Sequence, residues 1–315
     1  MHVLHLGYPS ATAVVLDGGP RVLVDSGYGS DHDRLRAALA GAGVPADTLD
    51  LVVNTHWHSD HVGGNARLQA EHGVPVAAAA ADAARIAADD PGACGAVRLD
   101  QPVERYRVDR PLRPGDHLRA GRADWEVLAT PGHTPTHLSL WAPDEGVLLL
   151  GDALHADDVG WIDLAADGHG ALADALAGVE RLATLPVRVA VSGHGPPITD
   201  PPRALAAAAE RYGRMRDEPV RAAWHACKRI LAFALMVRDV PADDLEAYAA
   251  GRPWLVDHAT RVFATSPGDL ARDLVGELRR AGAVGERGGR AVCLTPHRRP
   301  PAGWGVAGGR DRWFG

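Results

Sequence analysis

Residues 55–64, THWHSDHVGG, constrain this chain more than any other stretch. Four of the side chains, His56, His58, Asp60 and His61, are metal ligands by chemistry, at spacings of two, two and one. The residues before them, 49–54, predict a short buried strand, and residues 64–72 predict a helix. The ligands are therefore expected on a turn at the C-terminal end of a strand, where α/β folds place their chemistry. A metal-binding helix brings His together at i, i+4. Here extended backbone points His56 and His58 the same way, while Asp60 and His61 turn toward a second point nearby. Nitrogen and carboxylate donors suit zinc, and also iron or manganese. Two ligand sets on one loop predict two divalent ions about 3.5–4 Å apart sharing a hydroxide. The competing reading is a chance His-rich turn in a chain with 16 His. A quadruple that follows a β-run and ends in Gly-Gly rarely arises that way.

Further along, other strands end in ligands. Strands are expected at 2–6, 11–16 and 21–24, with a hairpin turn at 17–20. A glycine-rich turn at 24–29 carries Asp25, which is either a carboxylate partner for a ligating His or a turn-former. Asp31 is the expected N-cap of a helix reaching residue 40. Residues 74–78 predict a strand, 80–89 a helix, and 90–102 irregular chain. Strands follow at 104–108, 124–130, 138–141 and 147–150, which suggests sheets sandwiched with helices outside. The turn Thr130-Pro131-Gly132-His133 presents His133. The buried run 148–150 stops at Gly151-Asp152, placing a carboxylate at the sheet rim where it could bridge two ions. A helix at 171–182 and a strand at 187–191 lead to Ser192-Gly193-His194. Seven candidate ligands thus stand at strand ends: His56, His58, Asp60, His61, His133, Asp152 and His194.

These motifs, HWHSDH (56–61), PGH (131–133), GD (151–152) and GHG (193–195), run in order through residues 1 to about 200. In them the chain resembles the metallo-β-lactamase fold superfamily. The resemblance implies an α/β fold, a four-layer αβ/βα sandwich over residues 1–200 with the site at one edge. It implies His56, His58 and His133 on one metal, Asp60, His61 and His194 on the other, and Asp152 bridging with a water or hydroxide. Asp25 matches the superfamily's first motif, which supports its role as a partner to a ligand. Flavodiiron oxidoreductases put a carboxylate where His58 stands, and true β-lactamases usually lack the bridging acid. Glyoxalase II-like thioesterases and lactonases keep all seven ligands; persulfide dioxygenases use a similar set but load one iron through three of them. Acyl-homoserine lactonases carry a Tyr three residues after the bridging acid, where this chain has His155. The usual HTPGH is HTPTH here (133–137), with Thr136 in place of Gly.

The expected function is that of a dinuclear metal-dependent hydrolase, with two divalent ions, zinc first and iron or manganese next. A metal-bridging hydroxide would attack the carbonyl of a small-molecule thioester or ester. Asp60 is expected to hold or receive the nucleophile's proton. A thiolate leaves readily without a proton, whereas an alkoxide or amine usually needs an acid, and His155 and His169 are the candidates for that acid. Lactonase is the alternative. Further alternatives are β-lactamase-like or persulfide dioxygenase activity, a nuclease, and a metal-free binding module.

Charge bears on the nuclease. Residues 1–218 carry 18 Arg against 30 Asp and Glu (−12), residues 219–315 carry 15 Lys and Arg against 10 acids (+5), and the sum is −7. An acidic metal-bearing part disfavours nucleic acid as a partner. Cys94, Cys227 and Cys293 form no CxxC pair and suggest a reducing compartment. Residues 1–10 lack the pattern of a signal peptide, and no apolar run approaches the length of a membrane span. A cytoplasmic protein without a membrane partner is expected.

Residues 201–297 read as mainly helical, with Pro201-Pro202 breaking the chain. Helices are expected at 203–216, 220–237, 242–250 and 267–281, and a β-hairpin at 283–294 over Gly288-Gly289. This pattern resembles the winged-helix module appended to some hydrolases of the superfamily. A lid or homodimer surface packed over the active site is the expected role, with Trp224, His225, Lys228 and Arg229 as candidates to face a pocket. Residues 298–315 are rich in Gly, Pro and Arg and are expected to be a flexible tail, with Trp304, Trp313 and Phe314 able to dock on the body.

Overall fold

The computed structural model describes residues 1–301, 303–304 and 311–313. Phe314 lies outside the described residues. Six strands, His2–Leu4, Ala13–Leu16, Val22–Val24, Leu51–Val53, Val76–Ala79 and Arg110–Leu112, form one sheet in that order. The first three pair antiparallel and the last four parallel. A second sheet runs Val189–Ser192, Val147–Gly151, Leu138–Ala142, Ala123–Ala129, His117–Ala120. In it only Val147–Gly151 and Val189–Ser192 are parallel.

The period-2 alternation of a strand assigns each side chain to a layer. Val14, Leu16, Val24 and Val53 meet Leu118, Val127, Leu140 and Leu149 between the two sheets. Their neighbours Ala13, Val15, Leu23 and Val52 turn outward onto Leu35, Leu39 and Leu68 of helices His32–Gly41 and Asn65–His72. On the far side, Leu148 and Leu150 pack under Leu172 and Val179 of helix Gly170–Leu182 and Leu205 and Tyr212 of helix Pro201–Asp217. These strands are buried on both faces, which is why they read as continuous apolar runs. The result is the four-layer αβ/βα sandwich.

The C-terminal region adds helix Pro219–Val237, strand Val240–Pro241, helices Leu245–Ala250, Pro253–Arg261 and Pro267–Arg280, and the hairpin Val284–Arg287/Arg290–Cys293. Val240–Pro241 pairs with Arg290–Cys293 to complete a three-stranded sheet. Fully buried Trp254, Leu255, Leu270 and Leu274 centre this part, and its core continues into Leu99 and Tyr28 of the sandwich. Arg98 bridges the two parts, donating to Asp163 at 2.6 Å and Asp257 at 2.5 Å. None of the helices of the described residues is long and apolar enough to cross a membrane.

Several local expectations are corrected. Pro201 and Pro202 begin a helix instead of breaking the chain: they occupy its first turn, and Asp200 caps it by accepting from Arg203 N at 3.2 Å. Asp31 precedes its helix but does not cap it; its carboxylate accepts from Ser10 Oγ at 2.7 Å. Residues 90–102 contain two short helical turns, Ala93–Gly95 and Ala96–Leu99. The strand expected at 104–108 is only Val103–Glu104, and the described part of the tail is not loose. Arg312–Trp313 pairs antiparallel with Val103–Glu104. Trp313 is buried edge-on to Tyr106 at 5.8 Å, and its Nε1 donates to Asp89 Oδ1 at 3.2 Å. Trp304 packs on Tyr28 at 6.1 Å beneath the Arg312 guanidinium. The Gly, Pro and Arg content of this segment says little when its aromatic residues find pockets to fill.

Candidate metal centre

All seven expected ligands converge at one rim of the sandwich. His56 and His58 follow strand Leu51–Val53, His133 follows Ala123–Ala129, Asp152 follows Val147–Gly151, and His194 follows Val189–Ser192. Asp60 and His61 sit on a one-turn helix, Ser59–Val62, and not on open loop as expected. That turn is anchored from outside: Ser26 N donates to His61 O at 2.7 Å and Ala11 N to Asp60 O at 3.1 Å.

Ligand atoms of His56, His58 and His133 form one group; those of His56, His61 and Asp152, and of Asp60, His61 and His194, form two others, each within 4.8 Å. In the first, His56 Nε2 lies 3.0 Å from His58 Nδ1, which lies 2.8 Å from His133 Nε2. In the last, His194 Nε2 is 3.2 Å and His61 Nε2 3.8 Å from Asp60 Oδ2. Asp152 stands between them, with Oδ2 3.7 Å from His133 Nε2 and 3.5 Å from His194 Nε2, and Oδ1 3.5 Å from His61 Nε2.

The outer hydrogen bonds fix which nitrogen each imidazole presents. His61 Nδ1 donates to Asp25 Oδ2 at 2.8 Å, so Asp25 is the carboxylate partner and not merely a turn residue. The same Asp25 oxygen accepts from Thr55 Oγ1 at 2.8 Å, leaving that hydroxyl to accept from His56 Nδ1 at 3.1 Å. His133 Nδ1 donates to Trp161 O at 2.6 Å. His56 and His133 therefore turn unprotonated Nε2 atoms inward, and His61, its Nδ1–H held by Asp25, aims its Nε2 at the same centre, as ligating imidazoles require. His58 alone presents Nδ1.

A cation fits this cage on the structure's own terms. His61 Nε2 and Asp152 Oδ1 are buried and lack a hydrogen-bond partner. Buried acceptors left so cost about 1–3 kcal/mol each, and a cation among them satisfies both. Burial, reinforced by the neighbouring imidazoles, holds His56 and His58 well below the usual His range. Burial also lowers His133 to about 4, against the pull of Asp152. They are neutral lone-pair donors. Burial opposes charge on His194 too, but the Asp152 carboxylate prevails and raises it to about 9. Burial works against the Asp152 charge, yet His194 and His61 hold its carboxyl well below the usual range.

Sequence reasoning missed Thr55, Trp161 and His137. His137 Nδ1 donates to Thr130 Oγ1 at 2.8 Å, and its Nε2 accepts from Asp152 N at 3.0 Å, so it positions the loop that carries the central carboxylate. The sign available was the second His in HTPTH. Close packing also demands Gly193, where a Cβ would meet Asp152 Oδ1 at 2.1 Å.

Asp60, Asp152, His58, His133 and His194 floor a cavity. Its walls include Tyr8, stacked on His194 at 5.0 Å, and Arg229, Ile230, Phe233 and Met236 of helix Pro219–Val237. Arg229 is the one of the four helix candidates to reach it. Trp224 and Lys228 instead bond Glu277, at 2.7 and 2.8 Å, and His225 faces Arg211 in a separate cleft. His169 is exposed at the start of helix Gly170–Leu182, away from the site. His155 is buried behind His194, ring centroids 5.7 Å apart, and is not among the residues lining the cavity.

Thr136, where the resemblance expects Gly, donates to both oxygens of Asp82 at 2.8 Å. Burial raises Asp82 to about 6, opposed by the Thr136 bond and Arg85. The folded chain holds this proton more tightly than the unfolded chain. The resulting penalty is absent below the ordinary carboxylate pKa, grows as pH rises, and is complete above about pH 6, at about 3 kcal/mol. Asp82→Asn keeps an acceptor for Thr136 and removes the buried charge. It should raise the thermal midpoint at about pH 7.5 and change it little at about pH 4.5; equal shifts at both would reject the charge as the cause.

The profile of the metallo-beta-lactamase superfamily matches residues 6–194, more than half of the chain. A hydroxyacylglutathione hydrolase of Methylococcus capsulatus is 35% identical over 143 residues, 45% of this chain and 46% of the relative. One of Rhodospirillum rubrum is 32% identical over 130 residues, 41% and 43% of the two chains. The chain thus matches somewhat less than half the length of these curated relatives. Among solved structures, a metallo-beta-lactamase family protein from Thermus thermophilus superposes with a TM-score of 0.57 at 25% identity, over 93% of this chain and 98% of that one. A subclass B3 metallo-beta-lactamase of Bradyrhizobium japonicum shares the fold, with a TM-score of 0.55 at 19% identity over 70% and 91%. Superfamily members bind divalent metals, and with the donors converging as described, this chain belongs to the metallo-beta-lactamase superfamily.

Proposed function

We propose that this chain is a dinuclear metal-dependent hydrolase acting on a thioester or related ester. His56, His58 and His133 would hold one divalent ion, Asp60, His61 and His194 a second, with Asp152 shared. The supporting observation is the convergence of seven donors at one rim of the sandwich, five of them on the floor of an open cavity. Zinc suits the nitrogen and oxygen set, with iron or manganese next. Ions bound there supply a Lewis acid for a carbonyl oxygen and a water ionised near neutral pH.

The chain's own residues do the rest. Asp25, Thr55 and the Trp161 carbonyl keep the imidazoles in the ligating tautomer. Asp60 lies at the cavity floor with its Oδ2 3.2 Å from His194 Nε2, which supports a role in holding or receiving the proton of an attacking water. Leu99, Trp161 and the helix Pro219–Val237 wall the reacting carbonyl away from bulk water. Residues 201–297, in the order helix, strand, helices, hairpin, support a winged-helix-like reading in which the unit serves as this wall.

The fate of the leaving group favours sulfur. His155, the expected acid, has both ring nitrogens buried without a hydrogen-bond partner, and burial lowers it to about 4. A neutral imidazole behind His194 suits a group that departs unprotonated, as thiolates do. The relatives named hydroxyacylglutathione hydrolase support the same bond class. A lactonase reading rests on Tyr8, which lines the cavity and which burial keeps protonated.

Metal content by mass spectrometry, followed by a panel of thioesters, lactones, phosphodiesters and a β-lactam, tests the assignment. Thioesters should be turned over fastest. Tyr8→Phe should spare them, while lactone turnover, where present, should fall by the 10²–10⁴-fold, roughly, of a lost general acid. Thioester turnover falling as far as lactone turnover would give Tyr8 a different role, and a metal-free, inactive protein would end the hydrolase reading.

A further inference from the structure

One half of the cavity supplies neither a metal ligand nor a proton donor to the chemistry just described. Leu99, Trp161, Ile230, Phe233 and Met236 line it. The cavity holds about 220 Å³, below the roughly 300–1,000 Å³ of sites for drug-sized ligands. Two polar groups at its border are bonded within the chain. Ser59 Oγ donates to Gln101 Oε1 at 3.5 Å. Arg229, among the described residues the only cationic side chain lining the cavity apart from the His ligands, donates to Val159 O at 2.8 Å and pairs with Asp158 at 3.2 Å. Asp158 in turn is held by Arg211 at 2.8 Å. Phe233 stands edge-on to buried Tyr28 at 6.4 Å, which braces that wall.

We infer that this half is an acyl slot, built for a compact apolar acyl group, and that a hydroxylated acyl group is a poor occupant. The inference deepens the thioester reading and rests on it for naming the bond. A thioester has two unlike sides. Carrier thiols continue into amides, carboxylates or phosphates, which need donors and cations that this wall does not offer. The acyl chain is the part that gains from leaving water here. A hydroxyl on that chain would trade its water for the carbon surfaces of Leu99, Ile230, Phe233 and Met236, at the cost of a buried polar group.

The test uses the metal-loaded full chain and two sets of probes. The first is the coenzyme A thioesters of acetyl, butyryl, hexanoyl, decanoyl and lactoyl groups, with S-lactoylglutathione. The second is thioether ketones of coenzyme A carrying the same acyl chains, which cannot be hydrolysed and whose binding is followed by tryptophan fluorescence. Each methylene accommodated should improve kcat/KM and ketone affinity about fourfold, until the slot is full. Butyryl should exceed lactoyl on the same carrier by at least about tenfold, the size set by one unpaired buried hydroxyl. Phe233→Ala should move the chain-length optimum upward. A flat chain-length series, or lactoyl equal to or better than butyryl, overturns the slot; the wild-type series decides this even where the variant fails to fold. Ketones that bind with the expected chain preference while no thioester is hydrolysed keep the slot and remove the thioester reading.

Discussion

Asp152→Ala should lower turnover by at least about 100-fold, the upper range seen when even an outer partner of a metal ligand is lost. This side chain is the one that reaches both ends of the cage. Its Oδ2 lies 3.7 Å from His133 Nε2 and 3.5 Å from His194 Nε2, and its Oδ1 3.5 Å from His61 Nε2. No other carboxylate in the described residues stands within reach of His133 and His61 together. The fold should survive, because the loop is held by main chain: Asp152 N donates to His137, and Gly193 N donates to Gly151 O at 2.7 Å. His58→Ala should behave alike, since it takes one of three nitrogens from the first group. Circular dichroism, metal content and turnover on the same preparation separate the outcomes. A folded Asp152→Ala protein with full turnover would take metal out of the chemistry.

The site was legible in the sequence because ligands at strand ends keep a local signature. An apolar run followed by Gly-Asp or Gly-His marks a sheet rim without knowledge of the fold. What holds those ligands was less legible. Thr55 and Trp161 act through a hydroxyl and a main-chain carbonyl, and neither differs in sequence from ordinary core residues. His137 is brought under Asp152 only by the pairing of Leu138–Ala142 with Val147–Gly151. His155 shows the opposite failure. Three residues after Asp152 it falls at a position where a Tyr would read as an acid, yet its burial behind His194 is a tertiary fact. Tyr8 reaches the cavity from a loop far away in sequence. In the fold, the sheets followed their apolar runs. The helix Pro253–Arg261 and the strand His117–Ala120 were missed: proline opens the first, and exposed polar residues alternate through the second. Tail docking was raised by Trp304 and Trp313 but set against a stretch dominated by Gly and Arg, whose composition reads as flexible.

Removal of divalent metal should lower stability and turnover together and reversibly. Without a cation, nitrogen lone pairs of His56, His58 and His133 face each other at 2.8–3.0 Å, and burial denies them protons as a substitute. The unfolded chain has no such arrangement, so metal binds the folded state preferentially, and free metal at about a thousand times Kd is worth about 4 kcal/mol. The thermal midpoint after dialysis against a chelator should therefore drop by several degrees and return on adding zinc, manganese or ferrous iron. The ion that restores both midpoint and turnover at the lowest free concentration identifies the best fit. Because the imidazoles must be unprotonated to bind, the same midpoint difference should shrink as pH is lowered. A chelated protein that melts where the loaded one does would show that the cage is held by packing alone, and would leave its converging lone pairs without a cause.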